Sequence, residues 1–286
     1  MPNLKDIKRR IGSVKNTQQI TKAMKLVAAA KLRRAQESVM ASRPYSEKVA
    51  EVMESVAMRS REDSHPLLRR KEPENILIIV MSGDKGLCGP FNTNVLKAAS
   101  KIIADNPGKG VSLIITGRKG VDFFRRRKIN IQKIILDYGK KLGYNLAGEI
   151  AAIATEEFSS GRVDRVYMVY NKFRNVVVQI PTTVSLLPVT IAKRDEHASP
   201  AVDYEYEPSE GEILNEVLTR YIESQIYQSL LESAASENGA RMTAMDAATK
   251  AAKEMIEGLT LVYNRARQAA ITKEIIEVVT GADAIK

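Results

Sequence analysis

Three stretches of the chain carry residue types able to do chemistry. The first is the turn Gly83-Asp-Lys-Gly86-Leu-Cys-Gly89, which follows an apolar run. Glycine-rich turns between a strand and a helix can cradle phosphate through backbone N–H groups. This one lacks the Lys-Ser or Lys-Thr of G-x-x-x-x-G-K-[ST] and does not match G-x-G-x-x-G, so a tight strand-to-helix turn is the better reading. Cys88 lies in the same turn, but a thiol nucleophile needs a base and neither histidine is near it in sequence. Asp84-Lys85 reads as a solvated turn pair rather than an acid–base couple. The second group is His65 and His197, which sit far apart in polar sequence and cannot build a zinc site with one cysteine. The third is basic: Arg125-Arg-Arg-Lys128 and the first 48 residues.

Charge is distributed unevenly. Residues 1–48 hold twelve Lys or Arg against three acids, nearly the whole net charge of +10. An acidic partner follows: nucleic acid, a membrane surface or a carboxylate-rich protein. Up to Pro44 no aromatic residue interleaves with these charges, and no nucleic-acid module is evident, which weakens the first option. No G-x-S-x-G, metal cluster or paired carboxylates stand out, so a mechanical or scaffolding role is favoured over catalysis. A single cysteine excludes an internal disulfide. No charged-then-apolar leader and no apolar run of about 20 residues is present, so neither a secretory signal nor a membrane span is expected.

The elements that position these residues form three blocks: 1–60, 74–190 and 209–286. From Ser13 to Arg43 there is neither Gly nor Pro. Apolar residues at Ile7, Ile11, Val14, Ile20, Met24, Val27, Ala28, Leu32, Ala35 and Val39 follow helical spacing. Pro44 is expected to bend this helix. After Pro208 no proline occurs. The rows Met245, Ala252, Leu259, Ala266, Lys273 and Ala248, Met255, Val262, Ala269, Ile276 alternate in steps of three and four, the seam of a coiled coil. A helix from about 209 to 279 would run about 105 Å, against a radius of gyration of about 14 Å for a compact middle block. The helix is therefore expected to protrude, with the N-terminal helix as its antiparallel mate. Between them, Asn75–Met81, 111–115, 129–136, 165–173 and 176–187 read as strands, the last two joined across Arg174-Asn175. Helices are expected at 92–104, 120–126 and 146–158. The fold class is α/β: a long antiparallel coiled coil of the N- and C-terminal helices plus a central Rossmann-like α/β domain.

Several motifs together resemble the gamma subunits of F-type ATP synthases. They are Ile271-Thr-Lys-Glu274-Ile-Ile-Glu277-Val-Val-Thr-Gly281-Ala282, the run Ile20 to Arg34, Gly86-Leu-Cys-Gly89 with Asn92 and Asn94, and Glu237 to Met245. The match runs through nearly the whole chain. Gly83-Asp-Lys85 stands where the family often has Ser-Asp-Arg, and the paired-cysteine insertion of the chloroplast form is absent. The resemblance implies a non-catalytic rotor: the coiled coil inside a hexamer of alpha and beta subunits, the α/β domain as a foot on the c-subunit ring beside epsilon. It implies no cofactor, no nucleic acid, and a peripheral place on the cytoplasmic face of a bacterial cell membrane, reached through the complex. It further implies beta-subunit contact or coupling by Lys22, Met24, Lys25, Arg241, Arg267, Gln268, Thr272, Glu274 and Glu277, and c-ring contact by Tyr206 and Glu207. Taken alone, Thr272, Glu274 and Glu277 would be an ordinary solvated helix face. Two other functions compete: a nucleotide-dependent enzyme using the turn at 83–89, and a basic coiled-coil protein bound to nucleic acid, whose binding would fall steeply with salt.

Overall fold

A computed structural model describes residues 3–59, 65–140, 142–190 and 210–283. The chain divides into two compact units, one of Ala29–Arg241 and one of Met1–Ala28 with Met242–Lys286. Helices α1 (Leu4–Arg59) and α5 (Glu210–Asp283) each contribute to both.

In the larger unit, β1 (Asn75–Met81), β2 (Gly110–Thr116), β3 (Asn130–Ile135), β4 (Arg165–Phe173) and β5 (Gln179–Leu187) form one sheet in the order β3-β2-β1-β4-β5. The first four are parallel, and β5 is an antiparallel edge. Strand β1 is apolar on both sides because both of its faces are covered. Ile76, Ile78 and Val80 join α2 (Phe91–Ala104) and α3 (Arg118–Arg125) in one core cluster. Leu77, Ile79 and Met81 join α4 (Tyr144–Ser159) and α5 in the other. The alternation is the period of two of a strand. Helix α5 belongs to this core: Leu214, Leu218, Ile222, Ile226 and Leu230 are all buried in the second cluster. Alongside it, α1 donates Ser42 Oγ to Gln228 Oε1 (2.8 Å) and meets Ser224 through Ser46 (3.0 Å). Residue numbers rise on one helix as they fall on the other, so the pair is antiparallel. Helix α1 continues through Pro44.

The β4–β5 hairpin differs from the sequence expectation. The connection is not two residues but 174–178, and β5 starts at Gln179. The Asn175 side chain accepts from the N–H groups of Val177 and Val178, and the N–H groups of Arg174 and Asn175 both point to the Val178 carbonyl. An Asx-type turn thus takes the backbone donors that a strand would have used, although valines 176–178 look strand-like.

In the smaller unit, the seam of α5 also departs from expectation. Met245 and Ala252 are buried, and Leu259 and Ala266 are half-buried, as one predicted row requires. The second row is Thr249, Ile256, Tyr263 and Ala270, all half-buried. Of the row predicted instead, Ala248 is half-buried, while Met255 is 55% exposed, Val262 46% and Ile276 59%. Both choices alternate threes and fours, so apolar counting cannot tell which side of the first row the partner lies on. On α1, Ile7, Ile11, Val14 and Ala28 face inward as expected, but Ile20 and Val27 are exposed. Thr21 and half-buried Gln18 and Lys25 continue the row in their place. From residue 271 to 282 every residue of α5 is exposed.

Candidate functional site

The crevice beyond the carboxyl ends of β1 and β4, where the strand order reverses, is the usual ligand position in an open α/β sheet. Here the turn after β1 is built from internal bonds. Asn92 Oδ1 accepts from the Gly83 N–H (2.8 Å), Asp84 accepts from the Arg118 N–H (3.1 Å), and Ser82 Oγ donates to the Thr116 carbonyl while accepting from the Gly120 N–H. Gly117, at φ +83°, begins α3 so close to this turn that a Cβ there would run into the Ser82 carbonyl. The crevice itself holds a stretch of α5. A side chain on Gly83 would meet the Glu237 carboxylate, and Cys88, Phe91 and Ala240 form a small buried cluster.

Glu237 organises this stretch. Arg241 donates to its Oε1 at 2.6 Å, with both side chains about 15% exposed, and the Tyr138 hydroxyl donates to Oε2 at 3.1 Å. Burial, then the Glu237 charge, pushes the Tyr138 phenol well above its ordinary range, so it stays a donor. Burial likewise raises the Cys88 thiol, partly offset by Arg241, which opposes thiolate chemistry. Ser236 Oγ donates to the Asn171 carbonyl and Asn171 Nδ2 to the Phe91 carbonyl. Together these bonds clamp α5 onto the sheet.

The smaller unit has a polar layer in its seam. Thr21 and Thr249 hydroxyls meet at 2.8 Å, and Lys25 Nζ donates to Asp246 Oδ1 at 2.6 Å with Lys250 on the other oxygen at 3.0 Å. Hydrogen bonds from Lys25, then Lys250, hold the Asp246 carboxyl below its usual range. Lys25 is thus turned to its own chain, whereas Lys22 is exposed and Met24 half-buried. Arg267, Gln268, Thr272, Glu274 and Glu277 are exposed, the last paired with Lys273 at 3.4 Å. Arg241 is placed in the Glu237 network of the larger unit. Tyr206 and Glu207 lie outside the described residues. Around the exposed polar positions stand large apolar side chains: Ile20, Leu26 and Val27 on α1, and Met255, Leu261, Val262, Ile275, Ile276, Val278 and Val279 on α5, each at least 46% exposed. Apolar surface of that extent marks a contact surface.

Sequence reading missed the polar layer and the Glu237 clamp. The first had a signal: Leu4, Ile7, Ile11, Val14, Gln18, Thr21, Lys25, Ala28, Leu32 is one unbroken alternation of threes and fours. Among the described residues, no group of three or more His, Cys, Asp or Glu could hold a metal, and no helix is long and apolar enough to cross a membrane.

The fold defines an α/β sheet protein whose two terminal helices pair antiparallel, with its exposed apolar side chains concentrated on those helices. A family model described as ATP synthase matches residues 3–285. The chain is 50% identical over 286 residues to the ATP synthase gamma chain of Pelotomaculum thermopropionicum, and 49% identical over 288 residues to that of Geobacter sp. strain M21, covering 100% of both chains in each case. It belongs to the ATP synthase gamma-chain family. Among solved structures, the Euglena gracilis mitochondrial ATP synthase in rotational state 3 contains a chain with the same fold (TM-score 0.70, 18% identity, 99% of this chain and 94% of that one). The central stalk and c-ring structure from Tetrahymena thermophila contains another (TM-score 0.62, 24% identity, 80% and 99%).

Proposed function

We propose that this chain is the non-catalytic central shaft of a bacterial F-type ATP synthase, transmitting torque between the c ring and the catalytic beta subunits. The observation that carries the reading is the smaller unit. Its seam is already filled by its own residues, yet Leu26, Val27, Leu261 and Val262 remain outside it, and such side chains need a surrounding partner. An asymmetric pair of helices inside a ring of three chemically identical beta subunits contacts each differently, and so biases three conformational equilibria out of phase.

In this reading Lys22, Met24, Arg267, Gln268, Thr272, Glu274 and Glu277 face the beta subunits. Lys25 and Arg241 act through position, Lys25 by fixing the helix register against Asp246 and Arg241 by holding Glu237. Tyr206 and Glu207 meet the c ring, and epsilon binds beside the α/β foot. The chain carries no cofactor and reaches the cytoplasmic face of the membrane through the complex.

Co-expression with the alpha and beta subunits of the same organism tests the reading. One copy of this chain should co-purify with three of each, and ATP hydrolysis by the complex should turn a probe fixed to it. A complex that binds the chain yet hydrolyses ATP with the probe stationary would sink the proposal.

A further inference from the structure

The four parallel strands begin in register along one edge: Asn75 faces Gly110, Ser112 faces Asn130, and Ile76 faces Arg165. The first residues of these strands therefore lie in a row, about 5 Å from strand to strand, and their approaches enter along that edge. Those approaches are basic. Residues 69–71 are Arg-Arg-Lys, Lys109 precedes β2, and residues 125–128 are Arg-Arg-Arg-Lys, against the carboxylates of Glu72, Glu74 and Asp105. Residues 69–71 and 125–128 are exposed.

Little in the fold neutralises Arg69, Lys71 or residues 125–128. Arg127 lies on the Phe123 ring, 3.5 Å from its centre, and donates to the Phe123 carbonyl. Lys128 turns the chain at φ +56°, leaving the run at a corner. Among the described residues, no carboxylate comes within ion-pair distance of Arg69, Lys71 or residues 125–128. Before β4 the situation is different: Arg162 is paired with Glu156 and Glu157, and Asp164 accepts from the Glu74 and Asn75 N–H groups. Beside it, Arg69 and Lys71 line a hollow with Gly161, Val163 and Asp164, so the unpaired charge lies in two patches of the edge, this one and residues 125–128. None of the exposed large apolar side chains falls in these approaches.

The same edge is where the chain leaves and rejoins the sheet around residues 191–209. Strand β5 ends there, Leu187 against Val166, and Val189 donates to the Leu67 carbonyl. On return, Leu214 packs in the cluster containing Leu67 and Leu68, and Asn215 meets His65 at 3.2 Å. In the reading of this chain as a rotor shaft, on which this inference rests, the departing segment carries the c-ring contact. The basic edge then faces the membrane.

We propose that this edge contacts the phosphate headgroups of anionic phospholipids in the bilayer around the ring, a direct lipid contact in addition to the chain's attachment through the complex. A spread of cations without apolar or aromatic anchors suits a diffuse layer of phosphates. A protein interface would instead be expected to offer a buried central anchor. The attraction is electrostatic and weakens with salt.

The test uses the full chain and vesicles of phosphatidylcholine, with or without about a third of phosphatidylglycerol, in sedimentation. The variant R69Q/R125Q/R126Q/K128Q should lose about tenfold or more in affinity for the anionic vesicles, since each cation near the surface contributes a few-fold. The control is R10Q/K15Q/K31Q/R34Q, which takes the same charge from exposed positions on α1 and leaves the edge intact. It should keep nearly all of the affinity. Equal losses in the two variants would mean net charge alone drives binding, and would overturn the proposal, as would no preference of the wild-type chain for anionic vesicles. If the edge variant binds vesicles normally but fails to bind a c ring held in neutral lipid, the partner is an acidic protein surface and the lipid proposal is wrong. Both variants should still co-purify with alpha and beta. Failure of the wild-type chain to do so would strike at the shaft reading and leave the vesicle result standing by itself.

Discussion

Helix α5 behaves differently in the two units it joins. In the larger one, Leu214, Leu218, Ile222, Ile226 and Leu230 recur every fourth residue, none more than 3% exposed. An i, i+4 row is inclined to the helix axis and fits the twist of a sheet and its neighbouring helices. In the smaller unit the inward residues alternate in threes and fours, and beyond Ala252 they are only half-buried. The contacts there include a threonine pair and a lysine–aspartate pair, while leucine, valine and methionine stand outside. One stretch is stabilised from within. The other keeps its register by polar contacts and leaves its apolar surface for something else.

The contrast predicts unequal costs of truncation. Leu218→Ala removes a fully buried side chain from the main core cluster and should cost about 3 kcal/mol in denaturant unfolding. Ile256→Ala, at a half-buried seam position, should cost about 1 kcal/mol or less, because much of that side chain already meets water. Comparable losses in the two variants would erase the distinction.

Next in size is the clamp between α5 and the sheet. Glu237→Ala leaves the Arg241 guanidinium and the Tyr138 hydroxyl without their shared acceptor at a nearly buried site. The expected loss is about 2 kcal/mol, from an unpaired charge and an unpaired donor. Glu237→Gln keeps one acceptor oxygen and should lose less. If the alanine variant unfolds at the wild-type denaturant midpoint, the clamp contributes nothing and α5 is held by its leucines alone.

How far these regions could be read from sequence follows the same divide. The buried run 76–81 and the strand–helix alternation are legible because burial on both faces leaves an uninterrupted apolar string. The seam is only half legible. Ile20 and Val27 invite placement inside because they are apolar, yet Gln18, Thr21 and Lys25 occupy those positions. Apolar count assumes that a surface serves the chain's own fold, and that assumption fails where a surface serves a partner. Valines 176–178 mislead for a local reason, since one asparagine side chain outweighs three strand-forming residues. The Glu237 clamp was beyond reach, because Tyr138 and Glu237 are brought together only by the tertiary fold.

The polar layer should show itself through pH. The Asp246 carboxyl is held below its ordinary value by Lys25 and then Lys250, so the folded state binds a proton there less readily than the unfolded one. Its stabilisation is therefore present above the ordinary aspartate range and lost as pH falls through the depressed value. Hydrogen exchange of the α1 amides around Thr21 should slow on going from pH-matched Asp246→Asn to wild type near neutrality, and the difference should vanish in acid. Screening by solvent keeps the effect small. A difference that persists unchanged below the carboxylate range would assign it to shape rather than charge.

The smallest expected effect on stability is the most telling about purpose. Leu261 is 61% exposed and Val262 46%, and neither lies on the inward row of α5. Replacing both by serine removes apolar surface that already faces water in the isolated chain, so unfolding should change by no more than about 0.5 kcal/mol. Were these side chains surrounded in an assembly, the same change would remove buried contacts there, and the fraction of chain retained with the alpha and beta subunits should fall. A double variant that is stable alone and weakened only in the complex would place the function of this stretch outside its own fold. One that unfolds readily by itself would mean the two serines disturb a seam to which Leu261 and Val262 contribute, and the contrast between the two halves of α5 would have to be redrawn.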